Sequence, residues 1–144
     1  MRIVTITGRS SQPTFEQTVT LDRLLEGADE LHHGMCEGAD EQAHWEAYGK
    51  DIPIVGHPGV DRQGVEKKRA AIDLKYFDDI RKAKWFLDRN EDMVDVCTEV
   101  IALVSHESTK FYRSGEWNTI KHALRVGKPV TLVLPSGISQ EVVE

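Results

Sequence analysis

Four short apolar runs rich in β-branched residues and one weaker, more polar run at residues 30–33 recur along the chain, and most of them end at or beside glycine or proline. They cover residues 2–8, 30–33, 52–57, 99–104 and 129–135. Runs of this length and composition are typical of buried strands and are too short to cross a bilayer. The sequence therefore predicts a sheet of short, buried strands.

Four segments with apolar residues at helical spacing separate these runs. They cover residues 14–25, 39–49, 91–98 and 116–126. Strands that alternate with helices are joined by right-handed crossovers and form a mostly parallel sheet. The sequence therefore predicts an α/β fold in which helices cover both faces of a doubly wound, mostly parallel five-stranded sheet.

The length of the chain, 144 residues, suits one domain with its own core. We expect residues 1–144 to form a single unit, in which 58–88 is an irregular insertion that is partly helical over 65–84. Residues 136–144 are expected to be a tail that frays or lies on the surface.

Charge and cysteine content limit the partners and the compartment. The formal net charge of −6 argues against binding to a phosphate backbone, which requires a basic surface, and the basic stretch 66–69 is expected to be a solvated helical face. Two distant cysteines do not suggest a disulfide framework, and the first residues lack the apolar segment of a secretory signal. We therefore expect a cytoplasmic protein with no membrane segment and no nucleic-acid partner.

The stretch 32–45 (HHGMCEGADEQAHW) suggests either a metal site or a loop that binds an anion. Adjacent side chains in a strand point to opposite faces, so His32 and His33 cannot ligate one ion. Cys36 has no second ligand at the spacing of a zinc site. We therefore expect no metal and interpret 34–40 as a strand-to-helix loop.

Glycine and polar residues follow the predicted strands at the edge where ligands bind in such a sheet. Gly8 follows the first strand, the loop 34–40 follows the second, His57 follows the third, and 113–119 opens the last helix. Glycines let the backbone approach a ligand closely, and free amides at a helix start favour an anion. Arginines that could add bidentate contacts to an anion are Arg9, Arg89 and Arg113.

Several side chains near this edge have two interpretations. Cys36 could be a nucleophile with a lowered pKa or a part of the wall. Glu116 could be a general acid or base, or it could interact favourably with the helix dipole. Trp117 could stack on a nucleobase or pack within the helix interface. Trp45 and Trp85 are expected in the core.

Five motifs occur in order along nearly the whole chain: HGxCxGAD at 33–40, HP at 57–58, LxRNxxMV at 87–94, RSGxWxT at 113–119 and GKPV at 127–130. In this order they resemble the SLOG superfamily, a group of Rossmann-like domains that takes in the Lonely-guy phosphoribohydrolases and the DNA-processing protein A. The branch they resemble most is the small YspA-like or YpsA-related proteins of bacteria and phages. The resemblance implies a Rossmann-like fold.

The resemblance also implies a nucleotide or nucleotide-derived ligand, held by the loops 34–40 and 114–119. It places Arg89 near a phosphate and Asp40 near the ribose hydroxyls, implies no separate cofactor, and is compatible with a homodimer or higher homo-oligomer. Taken with the sheet edge, it gives the following candidate ligand-binding residues: Gly8, Arg9, Ser10, Gly34, Cys36, Gly38, Ala39, Asp40, His57, Arg89, Asn90, Arg113, Ser114, Gly115, Glu116, Trp117, Asn118 and Thr119.

These expectations leave two main functions open. The first is a sensor or sequestering protein for a nucleotide-derived signal, such as an ADP-ribose-like or NAD-like molecule or a cyclic nucleotide. The alternative is an enzyme that cleaves or transfers at a nucleotide N-glycosidic bond, with Glu116 or Asp40 as its carboxylate. The stretch 113–119 lacks the PGGxGT signature of the phosphoribohydrolases, which favours binding. The net charge of −6 disfavours a third function, the handling of DNA.

Overall fold

Strands and helices alternate along the chain in the computed structural model, which describes residues 1–107 and 116–142, with residue 116 described for its backbone alone. The strands are β1 (Ile3–Gly8), β2 (Glu30–His33), β3 (Ile54–Gly56), β4 (Gly59–Val60), β5 (Asp79–Ile80), β6 (Lys84–Trp85), β7 (Glu99–Leu103), β8 (Val130–Val133) and β9 (Ser139–Val142). The helices are α1 (Phe15–Leu24), α2 (Ala39–Gly49), α3 (Phe86–Val96) and α4 (Glu116–Arg125), with a short 3₁₀ helix at Leu74–Tyr76.

The main sheet has seven strands in the order β5-β3-β2-β1-β7-β8-β9, and β4 pairs with β6 in a separate ribbon. Neighbouring strands of the main sheet are parallel except for β8 and β9. The chain moves outward from β1 through β2 and β3 and then returns to β7 on the other side of β1. The predicted doubly wound α/β class is confirmed, and the strand order reverses between β1 and β7.

The five predicted runs are the five central strands of this sheet, but the prediction of five strands was wrong at both edges. β5 lies in the segment expected to be irregular, and β9 lies in the tail expected to fray. β5 has two residues and β9 is mostly exposed. Neither edge strand therefore carries the buried apolar run that marks a central strand.

Alternation along β7 sends its side chains into two separate cores. Ile101 and Leu103 join a core with residues of α1 and α2, whereas Val100 and Ala102 join a core with residues of α3 and α4. The predicted placement of helices on both faces is therefore confirmed. Within the described part of the chain, no helix is both long enough and apolar enough to span a bilayer.

A buried glutamine ties α1 to the sheet. Thr14 Oγ1 accepts the N–H of Gln17 at 3.0 Å and Gln17 Oε1 accepts the N–H of Thr14 at 3.1 Å, which is a capping box. The Nε2 of Gln17 donates to the carbonyls of Val104 at 2.8 Å and Val133 at 2.9 Å. The start of α1 is therefore anchored at the carboxyl ends of β7 and β8.

The predicted start of the third helix at residue 91 was wrong, since α3 begins at Phe86. Arg89 and Met93 are buried and Phe86 is half-buried. These three residues are three to four positions apart and share one helical face. Packing of that face extends the helix toward its amino end.

The segment 65–84 was expected to be partly helical, but its only helical part is the short 3₁₀ helix, and β5 also lies in it. Its backbone pairs instead with the loop after β2, because the N–H of Ala70 donates to the carbonyl of Met35 at 3.0 Å. Long-range pairing therefore replaces local helix formation in this segment.

Candidate functional site

A cavity of about 360 Å³ lies at the carboxyl end of β1, beside the point where the strand order reverses. We call it the main cavity. It is lined by residues of β1, the loop after β2, the segment before Arg69, α3 and the first turn of α4. Its volume falls within the range of about 300–1,000 Å³ that is usual for small-molecule sites.

Eight predicted site residues come together in its lining: Gly8, Ser10, Cys36, Asp40, Arg89, Asn90, Asn118 and Thr119. The sequence reasoning missed the remaining described lining residues, which are Ile6, Thr7, Glu37, Lys67, Lys68, Phe86, Leu87 and Met93.

Two glycines allow the loop after β1 to approach its neighbours closely, Gly8 on the side of β7 and Gly38 at the start of α2. Gly8 has a φ of +139°, and a Cβ there would lie 2.1 Å from the carbonyl oxygen of Leu103. Gly38 has a φ of +83°, and its Cβ would lie 2.2 Å from the carbonyl oxygen of Arg9, which accepts the N–H of Ala39 at 2.9 Å. A side chain at Gly8 would clash with the backbone of β7, and one at Gly38 would clash with the loop after β1, so both positions require glycine.

Asp40 closes the loop between β2 and α2. Its Oδ2 accepts the N–H of Gly34 at 2.9 Å and the N–H of Cys36 at 3.3 Å. Burial raises the pKa of Asp40 to about 6, and the positive charge of Arg89 acts in the opposite direction. Asp40 therefore shapes the wall of the cavity. A contact with ribose hydroxyls or a catalytic role, as predicted from the sequence, would be a second role of the same carboxylate.

Arg89 brings a buried cation to the same wall. Its Nη1 donates to the carbonyls of Gly34 at 2.7 Å and His57 at 2.9 Å, and its Nε donates to Asn90 Oδ1 at 2.8 Å. These bonds use three of the five N–H donors of a guanidinium. Arg89 therefore joins the ends of β2 and β3 while its charge lies beside the cavity.

Two lysines reach the cavity from the middle of the chain. The N–H of Glu37 donates to the carbonyl of Lys68 at 2.8 Å, and the Nζ of Lys68 donates to Ser10 Oγ at 3.2 Å. Lys67 lies next to it in the cavity wall. Residues 66–68 are exposed, as expected for a solvated face, but the expectation that 66–69 is helical was wrong, because backbone pairing with the loop after β2 replaces a helix and places the two lysines at the site.

Cys36 is a half-buried thiol in the cavity wall. Burial, together with the negative charge of Asp40, raises the pKa of Cys36 to about 11. Its Sγ donates to the carbonyl of Gly34 at 3.5 Å. The interpretation of Cys36 as a nucleophile with a lowered pKa is therefore wrong, since the thiol stays protonated at neutral pH.

His33 and His32 point to opposite faces of β2, as strand alternation predicts. His33 Nδ1 accepts the N–H of Met35 at 2.9 Å, which leaves Nε2 as the donor to His44 Nδ1 at 3.0 Å. This pairing puts a proton on His44 Nε2, a buried atom with no hydrogen-bond partner among the residues that the structure describes. His33 therefore braces the loop after β2.

On the other face, His32 Nδ1 pairs with His57 Nε2 at 2.7 Å, and His32 Nε2 pairs with Glu30. Burial lowers the pKa of His57 to about 4. Across residues 1–107 and 116–142, no cluster of three or more His, Cys, Asp or Glu side chains could hold a metal ion.

The other predicted residues near the cavity do not line it. The guanidinium of Arg9 bonds to Ser11 and Gln17, Gly34 and His57 offer their carbonyls to Arg89, and Gly38 and Ala39 form the contact with the loop after β1. Arg113, Ser114, Gly115 and the side chain of Glu116 lie outside the described residues.

The three tryptophans differ from one another in exposure. Trp117 is 3% exposed within the core of α3 and α4, which favours packing over stacking on a base. Trp45 is 40% exposed and Trp85 is half-buried. Neither belongs to the two cores, so the expectation that Trp45 and Trp85 lie in the core was wrong.

No protein-family model matches the sequence, and no curated protein matches it. Solved structures do match. The molybdenum cofactor binding protein from the phototrophic bacterium Rippkaea orientalis matches with a TM-score of 0.67 and 21% identity, over 92% of this chain and 76% of that one. The molybdenum cofactor carrier protein from Chlamydomonas reinhardtii matches with a TM-score of 0.59 and 15% identity, over 91% and 75%.

A third match is DNA processing protein A from Streptococcus pneumoniae, with a TM-score of 0.59 and 14% identity, over 92% of this chain and 50% of that one. The TM-scores establish a shared fold, and identities this low establish nothing beyond the fold. The ligands in these names are ligands of the neighbouring proteins.

Proposed function

Because the chain has the SLOG-type Rossmann-like fold of these neighbours, we propose that it binds a nucleotide or nucleotide-derived small molecule in the main cavity. It would act as a sensor or sequestering protein for a signal such as an ADP-ribose-like or NAD-like molecule or a cyclic nucleotide. The cavity lies where doubly wound sheets bind their ligands, outside the carboxyl ends of the strands.

The observation that carries this proposal is a local cluster of cations on an acidic protein. The net charge of the chain is −6, yet Lys67, Lys68 and Arg89 all line the main cavity, where Glu37 and Asp40 are the described acidic residues. Two lysines and a guanidinium beside a glycine-bearing strand end form a suitable site for phosphate oxygens.

The apolar part of the lining supports an organic ligand rather than an inorganic anion. Phe86, Leu87 and Met93 of α3 border the same cavity. A cavity with apolar walls and a few convergent polar groups is the usual form of a small-molecule site.

A molybdenum cofactor is the second candidate ligand, because two structural neighbours are named for binding or carrying it. Turnover of a nucleotide at its N-glycosidic bond is the enzymatic alternative. Asp40 is its described candidate carboxylate, and with a pKa of about 6 it could exchange a proton near neutral pH.

A thermal-shift screen tests the proposal with ADP, ADP-ribose, NAD, cyclic dinucleotides and a molybdenum cofactor preparation. A ligand present at about one hundred times its Kd stabilises the folded state by about 2.7 kcal/mol, which raises the melting temperature. Chromatography of each mixture shows whether the ligand is consumed. A shift with only the cofactor preparation supports the second candidate, and consumption supports the enzyme.

Variants locate the binding site. The double change Lys67→Ala and Lys68→Ala should weaken binding of a phosphate-bearing ligand by about tenfold or more, because each lysine supplies a charge-assisted hydrogen bond. Lys82→Ala is the matched control, since Lys82 is exposed and lies outside the main cavity. Equal loss in both variants would contradict a specific phosphate site.

A further inference from the structure

A second cavity of about 360 Å³ adjoins the main cavity, between the loop after β1 and the first two turns of α2. We call it the side groove. The polar and aromatic residues of its wall are Ser10, Gln12, Glu37, Glu41, Gln42 and Trp45.

The side groove and the main cavity share a rim. Ser10 and Glu37 line both of them. The rim is held in place because Gly38 packs against the backbone of Arg9 and Ser10, and Lys68 donates to Ser10 Oγ at 3.2 Å. A ligand longer than one cavity could therefore extend across this rim.

The two cavities differ in charge. Three cations line the main cavity, whereas the charged residues in the described wall of the side groove are Glu37 and Glu41. Carboxylates repel phosphate and accept hydrogen bonds from N–H and O–H donors. The side groove therefore suits the part of a ligand that is uncharged or cationic and carries donors.

Trp45 provides an aromatic surface in the side groove. It is 40% exposed, and its ring is held by edge contacts to His44, Tyr48 and Tyr76 at centroid distances of 4.8 Å, 5.6 Å and 5.3 Å. These contacts fix the orientation of the indole while part of it borders the groove. Fixed and exposed aromatic rings are the surfaces on which nucleobases stack.

We propose that the side groove binds an amino-bearing nucleobase, whose phosphates lie in the main cavity and whose ribose crosses the rim. The base stacks on Trp45 and donates its amino group to Glu41, the carboxylate that lines the side groove and not the main cavity. This inference rests on the proposed function and adds the class of base and the direction of the ligand.

The test compares three probes by calorimetric titration: pyrophosphate, ADP and inosine diphosphate, which has a carbonyl oxygen in place of the adenine amino group. Trp45→Ala should weaken ADP binding by about tenfold, the usual effect of removing a stacking ring, and leave pyrophosphate binding unchanged. Glu41→Gln should abolish the preference for ADP over inosine diphosphate, which we expect to be about five- to tenfold in the unaltered protein.

Controls separate local from general effects. Phe15→Ala removes an exposed aromatic side chain of α1, and Glu16→Gln removes a carboxylate of its first turn. Both should leave all three affinities unchanged. Trp45→Phe keeps an aromatic ring if the alanine variant is unstable. In the unaltered protein we expect ADP to quench the fluorescence of Trp45, and this variant should bind ADP without that quenching.

The outcomes distinguish the two proposals. If pyrophosphate and ADP bind through Lys67 and Lys68 but Trp45→Ala leaves ADP affinity unchanged, the side-groove inference is wrong and the proposed function stands. Loss of ADP affinity in Leu87→Ala alone would place the base in the main cavity and would also overturn the inference. If neither probe binds, both proposals fail.

Discussion

Asp40→Asn should make the protein more stable at neutral pH, although it removes a carboxylate that is attracted to the positive charge of Arg89. The two side chains have nearly the same volume, so packing should not change. The Oδ1 of asparagine can still accept the N–H groups of Gly34 and Cys36, which Asp40 Oδ2 accepts at 2.9 Å and 3.3 Å. The substitution removes a charge that burial disfavours, since Asp40 is 7% exposed.

The size of the effect follows from the pKa of Asp40, which burial raises from the ordinary value of 3.8 to about 6. A carboxyl with a raised pKa binds its proton more strongly in the folded state, so its contribution favours folding at low pH and is lost as the pH rises from about 4 to about 6. At about 1.4 kcal/mol per pH unit, the raised pKa lowers the unfolding free energy by about 3 kcal/mol at pH 7.5 and by about 1 kcal/mol at pH 4.5, compared with a carboxyl whose pKa is the same in both states. Asparagine avoids this cost at every pH.

Urea denaturation of the two proteins at pH 7.5 and pH 4.5 measures the difference in unfolding free energy. We expect the variant to be more stable by about 3 kcal/mol at pH 7.5, with the gain falling to about 1 kcal/mol at pH 4.5. Glu41→Gln, which removes a carboxylate from the same turn of α2, is the control and should change stability by less than about 0.5 kcal/mol.

Two results would refute the reasoning. A variant that is less stable at pH 7.5 would mean that the attraction between Asp40 and Arg89 outweighs the cost of burial. A gain of the same size at both pH values would mean that the effect does not come from the ionisation of Asp40.

Three further predictions concern groups whose surroundings are set by the tertiary structure. Gln17→Ala should lower the unfolding free energy by about 3 kcal/mol in urea, because it removes a cap and two buried hydrogen bonds; an unchanged midpoint would contradict this. Burial lowers the pKa values of His44 and His57 to about 4, so the unfolded state binds more protons below about pH 6.5 and stability should fall as the pH drops from there through about 4. Calorimetry across that range checks this, and a flat profile would exclude it. Cys36, with a pKa of about 11, should react with iodoacetamide at pH 8 about a hundredfold more slowly in the folded protein than in urea, and mass spectrometry that finds equal rates would show that the thiol is neither buried nor raised in pKa.

Local pattern determined the central part of the fold. The runs that became β1, β3, β7 and β8 lie inside the sheet and carry a largely apolar signal that can be identified without knowledge of their neighbours. β2, with the sequence ELHH, carries only a weak form of this signal. The same alternation separated His32 from His33 and excluded a shared metal ion. The sequence also located the strand-to-helix loop 34–40, because glycine at such a position has a local steric cause.

Only the tertiary structure decided the edges of the sheet and half of the main cavity. β5 and β9 are strands because they pair with β3 and β8. Neither has an apolar run from which a strand could be predicted. The segment that carries Lys67 and Lys68 reaches the site through backbone bonds of Lys68 and Ala70 to the loop after β2, which is distant in sequence. Local periodicity carries no information about such pairing. The physical reason is the same in each case: periodicity records which face of an element is buried, whereas long-range hydrogen bonds and burial decide which charges meet.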